Sequence, residues 1–246
     1  MQLIKLDATD STNAYLKALM ASQEIEDYCT VVARNQRKGR GQMGAHWLSK
    51  PGKNLTFSVL RKGGIFWGDN PFILNVLVSL AIFNTLKESN VPDLSIKWPN
   101  DILSGISKIC GILIENVLSG NTLKASIIGI GLNVNQTHFP NLSNVSSLKL
   151  VLGREQDLEG LLDRILKNIR QVFQRTGQTK SVWESYENVL FGKGVVTEFQ
   201  NRQGLGFKGT ILGVSQVGKL IVLLEEGGCT AEYDFKEIRF ILPPLS

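Results

Sequence analysis

The chain has 246 residues, of which 43% are hydrophobic and 20% charged, so it can build a core and wholesale disorder is excluded. Its longest apolar run, residues 72–83, is interrupted by Asn75 and Ser79 and is too short to cross a bilayer. We expect no secretory signal at the start of the chain. Three distant cysteines without a C-x-x-C pair predict neither disulfides nor a zinc site, and they favour a reducing cytoplasm.

The formal net charge of +5 is unevenly distributed. Residues 28–68 hold eight of the 27 basic residues and no Asp or Glu, so acidic residues outnumber basic ones elsewhere. A short cationic segment suits a small anion as well as a nucleic-acid backbone. Overall charge therefore does not decide the function, and the motifs must.

The hydrophobic pattern predicts alternating strands and helices. Strands are predicted over residues 30–33, 54–60, 95–98, 111–118 and 123–133. Helices are predicted over residues 14–20, 71–87, 158–173 and 181–189. Ser11 and Asp157 are suited to cap two of these helices, and Pro71 to open the long buried one.

The sequence pattern changes after Gly192. Five short β-rich runs separated by glycine-rich turns predict a small antiparallel barrel, with strands over residues 195–199, 207–214, 219–225, 230–234 and 238–241. We therefore predict two domains, residues 1–191 and 192–246. The second is near the lower size limit for independent folding, so we expect it to pack on the first.

The most informative segment is residues 36–47, QRKGRGQMGAHW, called the glycine loop below. Its three glycines let backbone N–H groups approach a ligand, and the interspersed cations suit phosphate or carboxylate oxygens. It matches neither a Walker loop nor the dinucleotide fingerprint. On spacing alone, a basic surface loop is an equally good interpretation.

A second motif, Lys97-Trp98-Pro99-Asn100-Asp101, ends a strand in a turn, and Lys108 precedes the next apolar strand. Lysine at such a position is usually solvated, and tryptophan is usually part of the core. The alternative is that Lys108 faces a substrate carboxylate or phosphate.

The third motif is Gly129-Ile130-Gly131-Leu132-Asn133. Glycines within a buried strand usually indicate the close approach of another backbone or a ligand. Asn133 either contacts a base or ribose, or merely closes the end of the strand.

The chain resembles the biotin–protein ligases in five motifs and in the β-rich module that follows them. In chain order, the motifs are Ser-Thr-Asn, G-R-G-x-x-G-x-x-W, K-W-P-N-D, K-x-x-G-I-L and G-x-G-x-N. The resemblance covers almost the whole chain, and K-W-P-N-D is its most diagnostic part. It implies an α+β fold, a mixed sheet flanked by helices like that of class II aminoacyl-tRNA synthetases, with a small C-terminal SH3-like β-barrel. It also implies that biotin and ATP, with Mg²⁺, form biotinyl-5′-AMP, whose acyl group passes to a lysine of a biotin carboxyl carrier domain.

The resemblance also implies roles for individual residues, with Lys108 and Arg40 as the catalytic cations and no metal ligands from the protein. The biotin side would comprise Ser11, Thr12, Asn13, Gln36, Gly39, Arg40, Gly41, Gln42, Lys108, Gly111 and Gly129. The nucleotide side would comprise Arg37, Gly44, Trp47, Lys97, Asn100, Asp101 and Asn133. Cys110, close to Lys108, is expected to be structural.

Two departures from the family pattern stand out. Gln42 and Ala45 replace the second and third arginines of the G-R-G-R-x-G-R loop found in many relatives, which reduces the positive charge over the intermediate. The Ser11 motif comes so early that we expect no N-terminal helix-turn-helix domain and no sequence-specific DNA binding. We further expect no membrane association, and a monomer or weak homodimer.

Two alternatives remain open at this stage. A lipoate–protein ligase resembles this fold and chemistry, although K-W-P-N-D and the C-terminal module favour biotin. A nucleic-acid-binding protein would use the basic segment, which lacks interleaved aromatics for stacking and any helix-turn-helix.

Overall fold

The computed structural model describes residues 2–63, 72–120, 122–174 and 179–243. Seven strands form the first sheet: β1 (Leu3–Thr9), β2 (Thr30–Gln36), β3 (Leu55–Lys62), β4 (Leu94–Lys97), β5 (Asp101–Ser104), β6 (Ser107–Ser119) and β7 (Thr122–Leu132). Their order is β1-β2-β3-β7-β6-β5-β4. The β1–β2 pair is parallel and the other pairs are antiparallel, so the sheet is mixed.

The helices are α1 (Thr12–Ser22), α2 (Ile73–Glu88), α3 (Leu148–Leu152), α4 (Leu158–Gln174) and α5 (Thr179–Glu187). Helix α2 is buried around most of its circumference and packs against the sheet, α4 and α5. Its predicted start at Pro71 lies outside the described residues. In the described ranges, no helix has the length and apolarity that crossing a membrane requires.

Five further strands form a second, antiparallel sheet: β8 (Val196–Asn201), β9 (Gly206–Val214), β10 (Leu220–Leu224), β11 (Thr230–Tyr233) and β12 (Ile238–Phe240). Each lies within two residues of its predicted position, because glycine-rich turns separate the strands. The predicted fold class, a mixed sheet with helices followed by a C-terminal antiparallel sheet, is confirmed. The domain boundary at residues 191/192 stays a prediction.

The pattern analysis missed three short elements, β1, β5 and α3. It also placed Lys108 before a strand, whereas β6 begins at Ser107 and includes Lys108. Likewise, Thr12 and Asn13 lie in the first turn of α1 rather than ahead of it, since Ser11 is the cap. These shifts of a few residues matter because all three side chains contribute to the site.

The second sheet is attached to the β4 edge of the first. The backbone of Ile96 exchanges hydrogen bonds with Val189 and Phe191, both of 2.8 Å. The Trp98 indole Nε1 donates to the Gly218 carbonyl at 2.9 Å. These bonds hold β12 beside the Lys97–Asp101 turn, where a cleft opens.

The cap of α4 yields a stability prediction. The Asp157 carboxylate accepts the N–H groups of Glu159 and Gly160, both at 3.1 Å. Replacing Asp157 by Ala should lower the free energy of unfolding by about 1 kcal/mol, the usual cost of losing a side-chain cap. Urea unfolding followed by circular dichroism measures the change.

The matched control is Glu155→Ala, two residues earlier, which removes only an exposed ion pair with Lys149. Exposed pairs contribute little, so this variant should unfold like the parent. Equal losses in both variants would mean that the loop, and not the cap, determines the stability of α4.

Candidate active site

The cleft lies on the face of the first sheet that carries α1 and the glycine loop, and its cavity is about 320 Å³. The second sheet closes one side. Most of the predicted site residues line it, namely Ser11, Thr12, Asn13, Gln36, Arg40, Gly41, Gln42, Trp47, Lys97, Asn100, Asp101, Lys108, Gly111 and Gly129. Positions up to about 120 residues apart in the chain thus meet at one place.

The floor of the cleft is made of glycines on neighbouring strands. Gly111 of β6 pairs with Gly131 of β7, and two residues along each strand Leu113 pairs with Gly129. A Cβ atom at Gly129 would collide with the Asn13 side chain, and one at Gly131 with the Trp47 indole. The expected close approach is therefore made by side chains, and the glycines leave the room for them.

One end of the cleft is a network of neutral polar groups. The Gln36 side-chain oxygen accepts from the Thr12 N–H at 2.8 Å and from the Thr12 hydroxyl at 3.1 Å. The Ser58 hydroxyl lies 2.7 Å from Thr12 Oγ1 and 2.5 Å from Asn13 Oδ1. Asn13 and Ser58 are buried, so the network fixes the orientation of these groups.

The glycine loop folds back over this end. Arg40 and His46 form a β-bridge, and Gly41 N–H donates to the Ala45 carbonyl. The Arg40 guanidinium Nη2 donates to Glu115 Oε2 at 3.1 Å. Trp47 is the last residue of the loop, and its indole lies over the glycine floor.

The other end of the cleft is charged. Lys97 pairs with Asp101 across the β4–β5 hairpin, and Asp101 pairs with Gly111 on β6. Lys108 Nζ lies 2.6 Å from Asp101 Oδ1. Burial lowers the pKa of Lys97 from its ordinary value of 10.5, an effect that Asp101 partly opposes. The Lys97 ammonium lies 4.9 Å from the centre of the Phe240 ring on β12.

Two asparagines predicted to bind the nucleotide hold the backbone instead. The Asn100 amide donates to the Ile112 carbonyl at 2.5 Å, which anchors the turn to β6, although Asn100 also lines the cleft. The Asn133 amide donates to the Ser146 carbonyl at 3.0 Å, and Asn133 is buried away from the cleft. Of the two interpretations of Asn133, its contacts favour the structural one.

Three further predicted residues are not brought into the cleft. Arg37 is exposed beside it, and Gly44 lies at the tip of the loop with a φ of +78°. Gly39 is buried against the Trp47 carbonyl, where a side chain would clash. Its glycine is therefore explained by the packing of the loop.

Two residues that belong to the site were not predicted, Ser58 and Glu115, which bond directly to its side chains. Gly131 of the third motif forms part of the floor, although it was not among the residues expected to bind a ligand. Period-two spacing from Gly111 places Glu115 on the same face of the strand and was a usable signal for it. No local signal marks the residues that β12 and its preceding turn contribute, namely Phe235, Ile238, Arg239 and Phe240.

Cys110 takes no part in the cleft. It is fully buried, and burial raises the pKa of its thiol, so it stays neutral. The sequence-based view of Cys110 as a structural residue agrees with this environment.

Several cations of the basic segment are paired with acids from outside it. Arg61 pairs with Asp27, and its guanidinium lies against the rings of Tyr28 and Phe173. Lys38 lies 3.3 Å from Asp10, and Lys62 lies 3.7 Å from Glu24. These pairs reduce the positive charge that the segment offers to a nucleic-acid backbone, whereas Arg37 stays exposed and is in none of them.

Comparison with known proteins gives a consistent result. Residues 6–133 match the model of the biotin/lipoate A/B protein ligase family. The bifunctional ligase/repressor BirA of Bacillus subtilis is 33% identical over 236 residues, covering 92% of this chain and 70% of that protein. The biotin–[acetyl-CoA-carboxylase] ligase of Paracoccus denitrificans is 37% identical over 132 residues, 52% of this chain and 53% of that one.

Among solved structures, the biotin protein ligase of Aquifex aeolicus in complex with biotin and ATP superposes with a TM-score of 0.81. It is 29% identical, and 98% of each chain is covered. The chain belongs to the biotin/lipoate A/B protein ligase family. Within it, the prediction of an ATP-dependent biotin–protein ligase is confirmed and favoured over a lipoate ligase.

The environment of Lys97 predicts the pH dependence of ATP use. Because burial lowers its pKa, Lys97 should lose its proton, and its attraction for phosphate, at a lower pH than a solvated lysine. The kcat/KM for ATP, which reports groups of the free enzyme, should fall on the alkaline side below pH 10.5. In Lys97→Arg, which stays charged, this fall should move to higher pH.

Pyrophosphate release between pH 7 and 10 measures both profiles, with thermal melting at each pH to exclude unfolding. An unchanged alkaline fall in Lys97→Arg would assign it to a group other than Lys97.

Proposed function

We propose that the cleft performs both half-reactions of biotinylation. Biotin and ATP form biotinyl-5′-AMP and pyrophosphate, and the acyl group then passes to a lysine of a biotin carboxyl carrier domain, releasing AMP. The observation that supports this division is the polarity of the cleft, which has a neutral hydrogen-bonding end and a cationic end joined by a glycine floor.

The neutral end suits the fused ring system of biotin. Its ureido group presents two N–H donors and one carbonyl acceptor, which complement the oxygens and N–H groups of Thr12, Asn13 and Gln36. Because these groups already bond to one another and to Ser58, they are preorganised. The valeryl chain would then extend along the cleft toward Lys108, so that its carboxylate reaches the cationic end.

The cationic end suits the reacting groups. A carboxylate and a triphosphate repel each other, so their union needs fixed positive charge where they meet. Lys108 and Lys97 would supply this charge, and the Trp47 indole offers a flat surface for adenine. The reaction then needs no covalent nucleophile, because the biotin carboxylate itself attacks the α-phosphorus and pyrophosphate leaves.

Mg²⁺ would enter with ATP. Magnesium in such sites usually combines substrate phosphates with one or two protein carboxylates. Among the described residues that line the cleft, Asp101 is the one carboxylate, so it fits this role. Within the described ranges, no group of three potential ligands forms a separate metal site.

The second half-reaction needs a neutral amine. The acceptor lysine would attack the acyl carbon of biotinyl-5′-AMP, form the amide and expel AMP, with its own proton lost to the surroundings. The carrier domain as partner, the cytoplasmic location and the monomer or weak homodimer stay predictions. Closure of the glycine loop over the intermediate would exclude water and limit hydrolysis.

The direct test incubates the purified chain with ATP, Mg²⁺ and labelled biotin or labelled lipoate. We expect biotin-dependent pyrophosphate release and transfer of label to a recombinant carrier domain. Lipoate should give neither. Release with lipoate but not with biotin would contradict the proposal, as would an absence of release with both.

The variant Lys108→Ala tests the role of the cationic end in the same assay. Losing this preorganised charge should cost about 2–4 kcal/mol in the chemical step. Thermal melting of the variant is measured alongside, because the substitution leaves the Asp101 carboxylate, which is 16% exposed, without this ion pair. Normal turnover in the folded variant would remove Lys108 from the reaction.

Gln42 lines the cleft where many relatives have an arginine, and this predicts faster loss of the intermediate. A charge-assisted bond to the intermediate's phosphate exceeds a neutral amide bond by roughly 1 kcal/mol, a several-fold change in retention. Gln42→Arg should therefore release preformed biotinyl-5′-AMP several-fold more slowly than the parent.

Release is followed after preloading both proteins with labelled biotin and ATP and removing free ligand. Met43→Arg, at an exposed position of the same loop that does not line the cleft, serves as the comparison for added charge elsewhere. Equal release from the parent and Gln42→Arg would show that charge at position 42 does not control retention.

A further inference from the structure

Glu115 is a carboxylate that joins three parts of the site. It lies on β6, two residues beyond Leu113 and four beyond Gly111, and so shares the cleft-facing side of the strand with them. Its Oε2 accepts from the Asn13 amide at 2.6 Å and from the Arg40 guanidinium at 3.1 Å. One oxygen therefore links the glycine loop, helix α1 and the sheet.

This contact differs from an ordinary surface ion pair. The Glu115 and Arg40 side chains are 28% and 46% exposed, and Asn13 is only 4% exposed. The second ion pair of the loop, between Lys38 and Asp10, is far more open, at 76% and 54%. Because the Glu115 carboxylate is partly buried and also accepts from a neutral donor, it holds the loop more strongly than the exposed Lys38–Asp10 pair does.

The glycine loop depends on this contact because it forms few other ion pairs. Gln42 and Ala45 are neutral. In the described ranges, the ion pairs of residues 36–47 are limited to Lys38–Asp10 and Arg40–Glu115. Of these two, the Arg40–Glu115 pair lies over the cleft, since Arg40 lines it.

We propose that Glu115 is a positioning residue, which ties the glycine loop to the sheet through Arg40 and orients the Asn13 amide. With Nδ2 of Asn13 held by Glu115, its Oδ1 faces Ser58 at 2.5 Å. Retention of the acyl-adenylate then depends on a carboxylate that does not itself contact substrate. This last consequence rests on the proposed function, whereas the tie itself does not.

Two variants separate charge from shape. Glu115→Gln keeps the size and one acceptor oxygen but loses the charge, and Glu115→Ala loses both. Asp10→Asn is the matched control, because it removes the exposed ion pair of the same loop. Thermal melting of all three establishes that they fold.

The first experiment is limited trypsin digestion without ligands, since the loop contains a cleavage site after Arg40. Cleavage there should be about threefold to tenfold faster in Glu115→Gln and at least as fast in Glu115→Ala. Asp10→Asn should match the parent at this bond. Cleavage after Arg202, in the exposed turn between β8 and β9, should be the same in all proteins and reports any general loosening.

The second experiment measures release of preformed biotinyl-5′-AMP in a double-mutant cycle. Glu115→Gln should release the intermediate about threefold to tenfold faster than the parent. In an Arg40→Gln background the same substitution should add little, because the tie is already lost. Additive effects, or parent-like cleavage and release in folded Glu115→Gln, would overturn the proposal.

The two arms distinguish the proposal from the function on which part of it rests. If the parent forms no biotinyl-5′-AMP, the proposed function fails, yet digestion still tests the tie because it uses no substrate. If Glu115→Ala does not fold, Glu115→Gln still tests the contact in both experiments. Arg40→Gln, which lacks the cleavage site, tests it from the other side in the release experiment alone.

Discussion

The site depends on the absence of side chains at three positions of two neighbouring strands. Gly111, Gly129 and Gly131 share one face of the sheet, and their missing Cβ atoms leave the space that Asn13, Trp47 and Lys108 occupy. A methyl group at Gly129 or Gly131 would displace a functional side chain rather than a flexible surface group. The polar end, the loop and the cationic end therefore all rest on the same floor.

The charged side chains above this floor differ in how deeply they are buried. Arg40 remains half exposed and is balanced by Glu115, whereas Lys97 is largely desolvated and its pKa is lowered. Asp101 pairs with Lys97 across the hairpin and with the Lys108 ammonium, so its negative charge reduces the repulsion between the two cations in the free enzyme. If ATP binds as proposed, its phosphates would compensate the desolvation of Lys97 with their negative charge, and the cationic end would gain more from an anion than exposed lysines would.

The sequence predicts this site well where chemistry and spacing are local. Glycines at alternate positions of β7 indicated close approach, and the Lys97–Asp101 turn and glycine loop supplied almost half of the lining residues. It predicts less where a contact that only the fold creates explains the residue. Gly39 is explained by the carbonyl of Trp47, Asn133 by that of Ser146, and Glu115 by partners 75 and 102 residues away. A hydrophobic pattern encodes which face a residue occupies, but not which neighbour the fold brings to it.

The second sheet shows the same limit and has a consequence for the site. Its five strands follow from their turns, but nothing local indicates that β12 reaches the cleft. It does so because the Ile96 backbone and the Trp98 indole bind the connecting segment and the Gly218 turn at the edge of the first sheet. Trp98 thus has the core role expected of a buried tryptophan, while its chain neighbour Lys97 is covered by Phe240. The desolvation that lowers the pKa of Lys97 is therefore supplied in part by the second sheet, which couples the packing of that sheet to the charge at the cationic end of the cleft.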